Sequence, residues 1–203
     1  MTLISIGITC FNAEKTISKA IESAINQEWK NKEVIIVDDC STDRSIDIIK
    51  KYSSSYNIIL IEHKNNLGPA GSRNSIIRNS NGDYIAFFDD DDFSKSNRLE
   101  IQFKKIKHYE KILKTDLIAC YASGVRCYSN GYQLELNSIS SMNSKPLTNK
   151  LIPNYLLLNI KKRNYFYGSG IPSCALMAKK TTFDKLNGYD ESFRRIEDAD
   201  FAI

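Results

Sequence analysis

Histidine is scarce: His63 and His108 are the only two in 203 residues, and no two of the five cysteines form a C-x-x-C pair. Both absences argue against a structural zinc site. Cys10, Cys40, Cys120, Cys127 and Cys174 are odd in number and scattered, which fits a reducing compartment better than a disulfide framework. No stretch approaches the ~18–20 consecutive apolar residues of a membrane span. The opening Met1-Thr-Leu-Ile-Ser-Ile-Gly-Ile8 lacks the basic stretch and cleavage site of a secretory leader, so the expected location is cytoplasmic. Neither charge dominates: 28 Lys and Arg face 24 Asp and Glu, a net +4, too little to argue for a nucleic-acid partner. What is present is 42% hydrophobic and 26% charged residues, enough for a folded core and unlike a disordered chain.

Short apolar runs alternate with amphipathic segments. Strands are expected at Leu3–Thr9, Val34–Val37, Asn57–Ile61 and Tyr84–Phe88. Helices between them are expected to be capped by Asn12 and by Ser41 or Thr42, with another around Ser72–Asn79. A long basic helix follows, with Leu99, Phe103, Ile106 and Leu113 on one side. This is βαβ patterning, hence an α/β fold with a buried, mostly parallel, Rossmann-like sheet. Beyond Cys120 the style changes. Asn130-Gly131 signals a hairpin, Asn137–Asn149 a polar loop, Cys174–Ala178 a strand, and Thr181 or Thr182 a helix cap. A smaller α+β portion is therefore expected after the parallel half.

In open parallel sheets, ligands bind beyond the carboxyl ends of the strands. Three chemically loaded clusters fall there: Thr9-Cys-Phe-Asn12, Asp38-Asp39 and Asp89-Asp-Asp-Asp92. No G-x-G-x-x-G turn follows the first strand, and no G-x-x-x-x-G-K-[ST] loop occurs, so neither a dinucleotide fingerprint nor a P-loop is present. Strand alternation would point Asp89 and Asp91 one way and Asp90 and Asp92 the other. Four crowded carboxylates suit a hard divalent cation carrying phosphates; the plainer role is a solvated loop with Asp92 or Ser94 capping the next helix. Asp38 or Asp39 would accept from a nucleobase N–H with Phe11 stacking on the ring, although a phenylalanine there ordinarily packs in the core. Gly68-Pro-Ala-Gly-Ser-Arg73 suits a phosphate or a polar base edge. One acid of Glu197-Asp-Ala-Asp200 would serve as a general base, or simply favour a helix N-terminus.

Assembled in order, these residues resemble the family 2 glycosyltransferases of the GT-A fold. The matching stretches are Thr9-Cys-Phe-Asn12, Val37-Asp-Asp-Cys-Ser-Thr-Asp43, Asn66-Leu-Gly-Pro-Ala-Gly-Ser-Arg-Asn74, Gly82-Asp-Tyr-Ile-Ala-Phe-Phe-Asp-Asp-Asp-Asp92, Gly188-Tyr-Asp-Glu191 and Glu197-Asp198. The resemblance implies a nucleotide-diphospho-sugar donor, most often of uridine, bound by Thr9, Phe11, Asp38 and Asp39 with help from Arg73. Asp90 would approach the ribose. Asp91 would hold Mn²⁺ or Mg²⁺ on the diphosphate, supported by Asp89, and Asp198 would take the proton from the acceptor hydroxyl. The acceptor would be a saccharide or a lipid-linked molecule, and the transfer inverting.

On this reading residues 1–203 form one transferase domain, with a nucleotide-sugar half at 1–120 and an acceptor half at 121–203. Ile203 stands five residues past Asp198, where family members continue, so a domain truncated at its C-terminus is expected. The competing readings are a phosphohydrolase, which would want an Asp-x-Asp after the first strand, and a donor-binding or interaction module without turnover. Lys104, Lys105, Lys107, Lys111, Lys114 and Lys161-Lys-Arg163 read as solvated surface, or as attraction to anionic lipid at the inner face of a membrane.

Overall fold

The structure, a computed structural model, describes residues 2–143, 151–168, 170–193 and 197–201. Arg194, Arg195, Ile196 and the latter part of the polar 137–149 loop lie outside the described residues.

The elements follow the expected alternation: β1 (Ile4–Cys10), α1 (Ile17–Ile25), β2 (Lys32–Asp38), α2 (Ser45–Ser53), β3 (Ile58–Glu62), α3 (Gly68–Asn79), β4 (Tyr84–Asp89) and α4 (Arg98–Leu113). Then come β5 (Cys120–Tyr121), the hairpin β6 (Gly124–Cys127) and β7 (Gln133–Leu136), α5 (Leu151–Leu158), β8 (Leu176–Lys179), α6 (Lys180–Lys185) and α7 (Glu197–Phe201). Six strands form one sheet in the order β3-β2-β1-β4-β8-β5. The first four are parallel, and β8 runs antiparallel to both β4 and β5.

Period-two alternation sorts the apolar side chains onto two faces. Ile6, Ile8, Val34, Ile36 and Phe88 pack against Ile17 and Ile21 of α1 and Leu99 and Ile106 of α4. Ile35, Val37, Ile85 and Phe87 pack against Ile76 and Ile77 of α3, Phe183 of α6 and Phe201 of α7. Both faces are covered, so these strands read as continuous apolar runs, and each fully buried aliphatic or aromatic contributes about 1.5–3 kcal/mol. Gly7 lets α3 lie directly on β1: a Cβ there would collide with the Ile76 side chain.

Several local expectations are corrected by tertiary partners. Asn12 does not cap α1, which starts at Ile17 after Thr16. It adopts a left-handed φ of 52°, and its Oδ1 accepts from the Thr42 backbone N–H at 2.8 Å. Ser41 and Thr42 do not cap α2 either; Ser41 Oγ accepts from Asn12 N–H at 2.9 Å. These polar residues thus tie the β1–α1 and β2–α2 connections to each other. Thr182 lies inside α6, donating to the Asp116 carbonyl at 3.3 Å. Leu113 is exposed rather than packed with Leu99 and Ile106. The Asn130-Gly131 hairpin forms as expected, with Gly131 at φ 82° and Cys127 opposite Gln133.

Candidate active site

The carboxyl ends of β1, β2 and β4 bring the three sequence clusters together. Asp89 is the last residue of β4, and a turn follows in which Asp92 N–H donates to the Asp89 carbonyl at 3.3 Å. That turn cancels strand alternation. Asp89 therefore groups with Asp92 rather than Asp91: ligand atoms of Asp89, Asp92 and Cys174 lie within 4.8 Å of one another. Asp90 points to the neighbouring loop, where its Oδ2 accepts from Phe11 N–H at 2.8 Å. Asp91 is exposed. Thr9 Oγ1 donates to Asp89 Oδ1 at 3.3 Å.

Phe11 corrects the core-packing expectation, for its ring is 50% exposed beside Asp90. Cys10 is the last paired residue of β1, opposite Asp38, so Phe11 lies just beyond the strand end. Asp38 is fully buried; its Oδ2 accepts from Ser41 N–H at 2.9 Å, and its Oδ1 has no partner. Asp39 is the organiser of the loop before α3. Its Oδ1 accepts from Leu67 N–H and faces His63 Nδ1, both at 2.8 Å, and its Oδ2 accepts from Gly68 N–H at 2.8 Å. Gly68 sits at φ 80°, a conformation that glycine adopts without a Cβ penalty. His63 is thus held between Asp39 and Ser75, and Asp39 keeps one lone pair for a further donor.

Arg73 finds its carboxylate partners on β4 and α7. It is buried, with Nη1 donating to Glu197 Oε1 at 2.6 Å, Nη2 to Asp89 Oδ1 at 3.4 Å, and Asp198 Oδ1 at 3.5 Å from Nη1. The guanidinium also stands 5.6 Å from the centre of the Tyr189 ring. Burial works against its charge, but Asp89, Tyr189, Asp198 and Glu197 more than offset that and hold it protonated. The acid-bearing helix α7 is fixed by this pair and by Phe201, which stacks on Tyr189 at 4.6 Å and on Phe183 at 5.3 Å. Asn74 supports the same corner, donating to the Tyr189 carbonyl at 2.8 Å and to Glu191 Oε1 at 2.9 Å.

Electrostatically the site carries surplus acid. Burial pushes the Asp89 carboxyl up despite Arg73, and burial likewise raises Asp90 to about 6, against the pull of the Phe11 N–H. Arg98, the other nearby cation, is lowered to about 10 by burial and spends its donors on Ser94, Gln102 and the Phe87 carbonyl. Burial, then Asp89 and Asp92, push the Cys174 thiol up, and its soft sulfur suits a hard divalent cation less well than oxygen does. The carboxylate oxygens of Asp89 and Asp92, with the exposed Asp91 between them in sequence, suit a hard divalent cation. Next to Asp198, Arg126, Leu136, Ile171 and Pro172 line a cleft of about 390 Å³.

The family model described as Glycosyl transferase family 2 matches residues 5–180. The chain belongs to this family. It is 43% identical over 102 residues to the Escherichia coli UDP-Glc:alpha-D-GlcNAc-diphosphoundecaprenol beta-1,3-glucosyltransferase WfaP, covering 50% of this chain and 40% of WfaP. Among solved structures, S. aureus TarS 1-349 in complex with UDP superposes with a TM-score of 0.65 at 20% identity, covering 98% of this chain and 53% of that one. The mannosyltransferase PcManGT from Pyrobaculum calidifontis, in complex with GDP-Man and Mn²⁺, gives 0.62 at 15% identity, covering 98% and 50%. These two likenesses show the fold, a GT-A sheet of mostly parallel strands. The glycosyltransferase chain spans about half or less of the length of the curated relatives it matches first.

Sequence reasoning overlooked four residues of this glycosyltransferase site. Glu197 carried a signal, as the neighbour of Asp198, but no role. Tyr189 likewise stood in the matching stretch Gly188-Tyr-Asp-Glu191 without a role, whereas His63 and Cys174 had no signal, because each meets its site partner only through the fold.

Proposed function

We propose that the chain forms the donor-binding and catalytic part of a metal-dependent, inverting glycosyltransferase. It transfers a sugar from a nucleotide diphosphate, UDP first among them, to a saccharide or lipid-linked acceptor in cell-surface glycan synthesis. The observation that carries this reading is Arg73, which stands 3.4 Å from Asp89 and 3.5 Å from Asp198. One buried cation thus ties the diphosphate end of the site to the acid expected to handle the acceptor. The UDP in the TarS complex and the lipid-linked substrate in the name of WfaP support the substrate classes.

Residues 1–120 form the donor half. Phe11 stacks on the base, Asp39 offers its remaining acceptor position to the base N–H groups, Asp38 holds the loop from its buried position through Ser41 N–H, and Asp90 approaches the ribose. Asp89 and Asp91, with Asp92 now beside Asp89, hold Mn²⁺ or Mg²⁺, which when bound neutralises charge on the leaving diphosphate. Residues 121–203 form the acceptor half, around the cleft that Asp198 lines. Asp198 accepts the acceptor proton as its oxygen bonds to the anomeric carbon and the carbon–diphosphate bond breaks. No enzyme nucleophile is needed for one displacement with inversion. Among the described residues no helix is long and apolar enough to cross a membrane.

The test is thermal unfolding with UDP, GDP, CDP and TDP, each with and without Mn²⁺. A ligand at a hundred times its Kd stabilises by about 2.7 kcal/mol, roughly 5–10 °C for a chain of this size. A shift with UDP that grows with Mn²⁺ is expected; no shift with any of the four overturns the reading.

A further inference from the structure

Between Glu135 and Asp184 the chain contains no acidic residue, while Lys145, Lys150, Lys161, Lys162, Arg163, Lys179 and Lys180 all fall there. The charge balance of the whole molecule conceals this. Within that segment α5 is apolar, Leu-Ile-Pro-Asn-Tyr-Leu-Leu-Leu, and buries none of its residues. Every residue from 157 to 165 is exposed. Leu157 and Leu158 are 65% and 63% accessible and Ile160 is 54%, and Lys161-Lys162-Arg163 follows directly.

This exposed stretch is held in place. Asn159 ends the helix with φ 52°, and its N–H donates to the Tyr155 carbonyl at 3.0 Å. Tyr155 packs on the buried Tyr167 ring at 4.8 Å, and the Tyr167 hydroxyl accepts from Lys162 N–H at 3.0 Å. Lys161 Nζ lies 5.2 Å from the Tyr155 ring centre and Lys162 Nζ 5.5 Å from that of Tyr165. The result is an ordered tip of aliphatic side chains with a basic collar and tyrosines at its base.

We propose that the tip Leu157–Tyr165 docks this protein on an anionic phospholipid bilayer, with Leu157, Leu158 and Ile160 in the acyl boundary and Lys161, Lys162 and Arg163 on the lipid phosphates. Aliphatic groups beside cations, with aromatic side chains at headgroup level, are the chemistry of interfacial attachment. A nucleic acid would use the cations and leave three large aliphatics in water. From Tyr167 the chain runs through Gly170 and Ile171 into the cleft beside Asp198, so docking there brings the lipid surface to the acceptor side. The inference rests on the reading above only for the lipid-linked substrate.

The test is flotation of the whole chain with vesicles of phosphatidylcholine alone and of phosphatidylcholine with phosphatidylglycerol. Binding to the anionic vesicles only, weakened by salt, is expected. At roughly 1 kcal/mol per cation near such a surface, K161Q/K162Q/R163Q lowers partitioning on the order of a hundredfold. L157S/L158S/I160S lowers it as well. Both variants keep the parental melting temperature and the parental response to UDP with Mn²⁺, so the loss of docking is read apart from the donor site. A nucleotide response without vesicle binding overturns the inference alone. Equal binding to neutral vesicles, or a dimer dispersed by the leucine variant without vesicle binding, also overturns it.

Discussion

Arg73 on α3 donates to Glu197 on α7 at 2.6 Å across 124 residues of sequence, and both side chains are buried. The pair pins the short helix carrying Asp198 to the strand ends carrying Asp89. Removing one partner of a buried ion pair strands the other, at about 3–5 kcal/mol. Glu197→Ala is expected near the lower figure, because Asp89 and Asp198 still face Arg73, and Arg73→Met near the upper. At roughly 2–4 °C per kcal/mol for this size, the melting temperature falls by about 6–12 °C for Glu197→Ala and about 10–20 °C for Arg73→Met. Calorimetry showing Glu197→Ala within a degree of the parent would refute the anchoring role.

Asp198 has a buried oxygen that faces only Arg73, 3.5 Å from Nη1 and beyond hydrogen-bond geometry, and it lines the cleft shared with Arg126, Leu136, Ile171 and Pro172. Asp198→Asn keeps the shape and loses the base. Turnover is expected to fall by about 10²–10⁴ while the thermal response to UDP with Mn²⁺ persists. Unchanged turnover in this variant would remove Asp198 from the proposed chemistry.

Asp90 gives the metal-free protein a pH dependence. Burial raises its folded-state value to about 6, against about 4 for an unfolded aspartate. Between those values the native state holds the extra proton, so this group's contribution to stability falls as pH rises from about 4 to about 6. Urea unfolding should show the stability of the parent relative to Asp90→Asn declining across that window and levelling above it. A difference that is flat with pH would contradict the assignment.

The cysteines divide by environment, and all five are free. Cys127 is exposed on β6, whereas burial raises Cys10 to about 12 and Cys120 to about 11. A thiol reacts as its thiolate. Ellman's reagent at pH 8 should therefore modify Cys127 in the native protein and reach Cys10 and Cys120 only after unfolding. Peptide mapping that finds Cys10 labelled at the same rate as Cys127 would show that the β1 end is open.

The expected calling card of the parallel half was its apolar runs, and these match β1, β2, β3 and β4 to within a few residues, because two-face burial and period-two geometry are local properties of the chain. The family motifs were legible for the same reason: each is contiguous. Helix capping was misjudged at Asn12, Ser41 and Thr42, where partners on another loop outcompeted the nearest helix end.

What the sequence alone determined is therefore the parallel βαβ character of the first half, the hairpin at Asn130-Gly131, and the placing of carboxylates at strand ends. The tertiary structure decided which of them meet. The turn at Asp89 pairs it with Asp92 instead of Asp91, Phe11 is left exposed rather than packed in the core, and Arg73 meets Glu197 and Asp198. Side-chain direction where a strand ends, and the partner of a buried charge, depend on residues far along the chain. Hydrophobic periodicity carries no record of either.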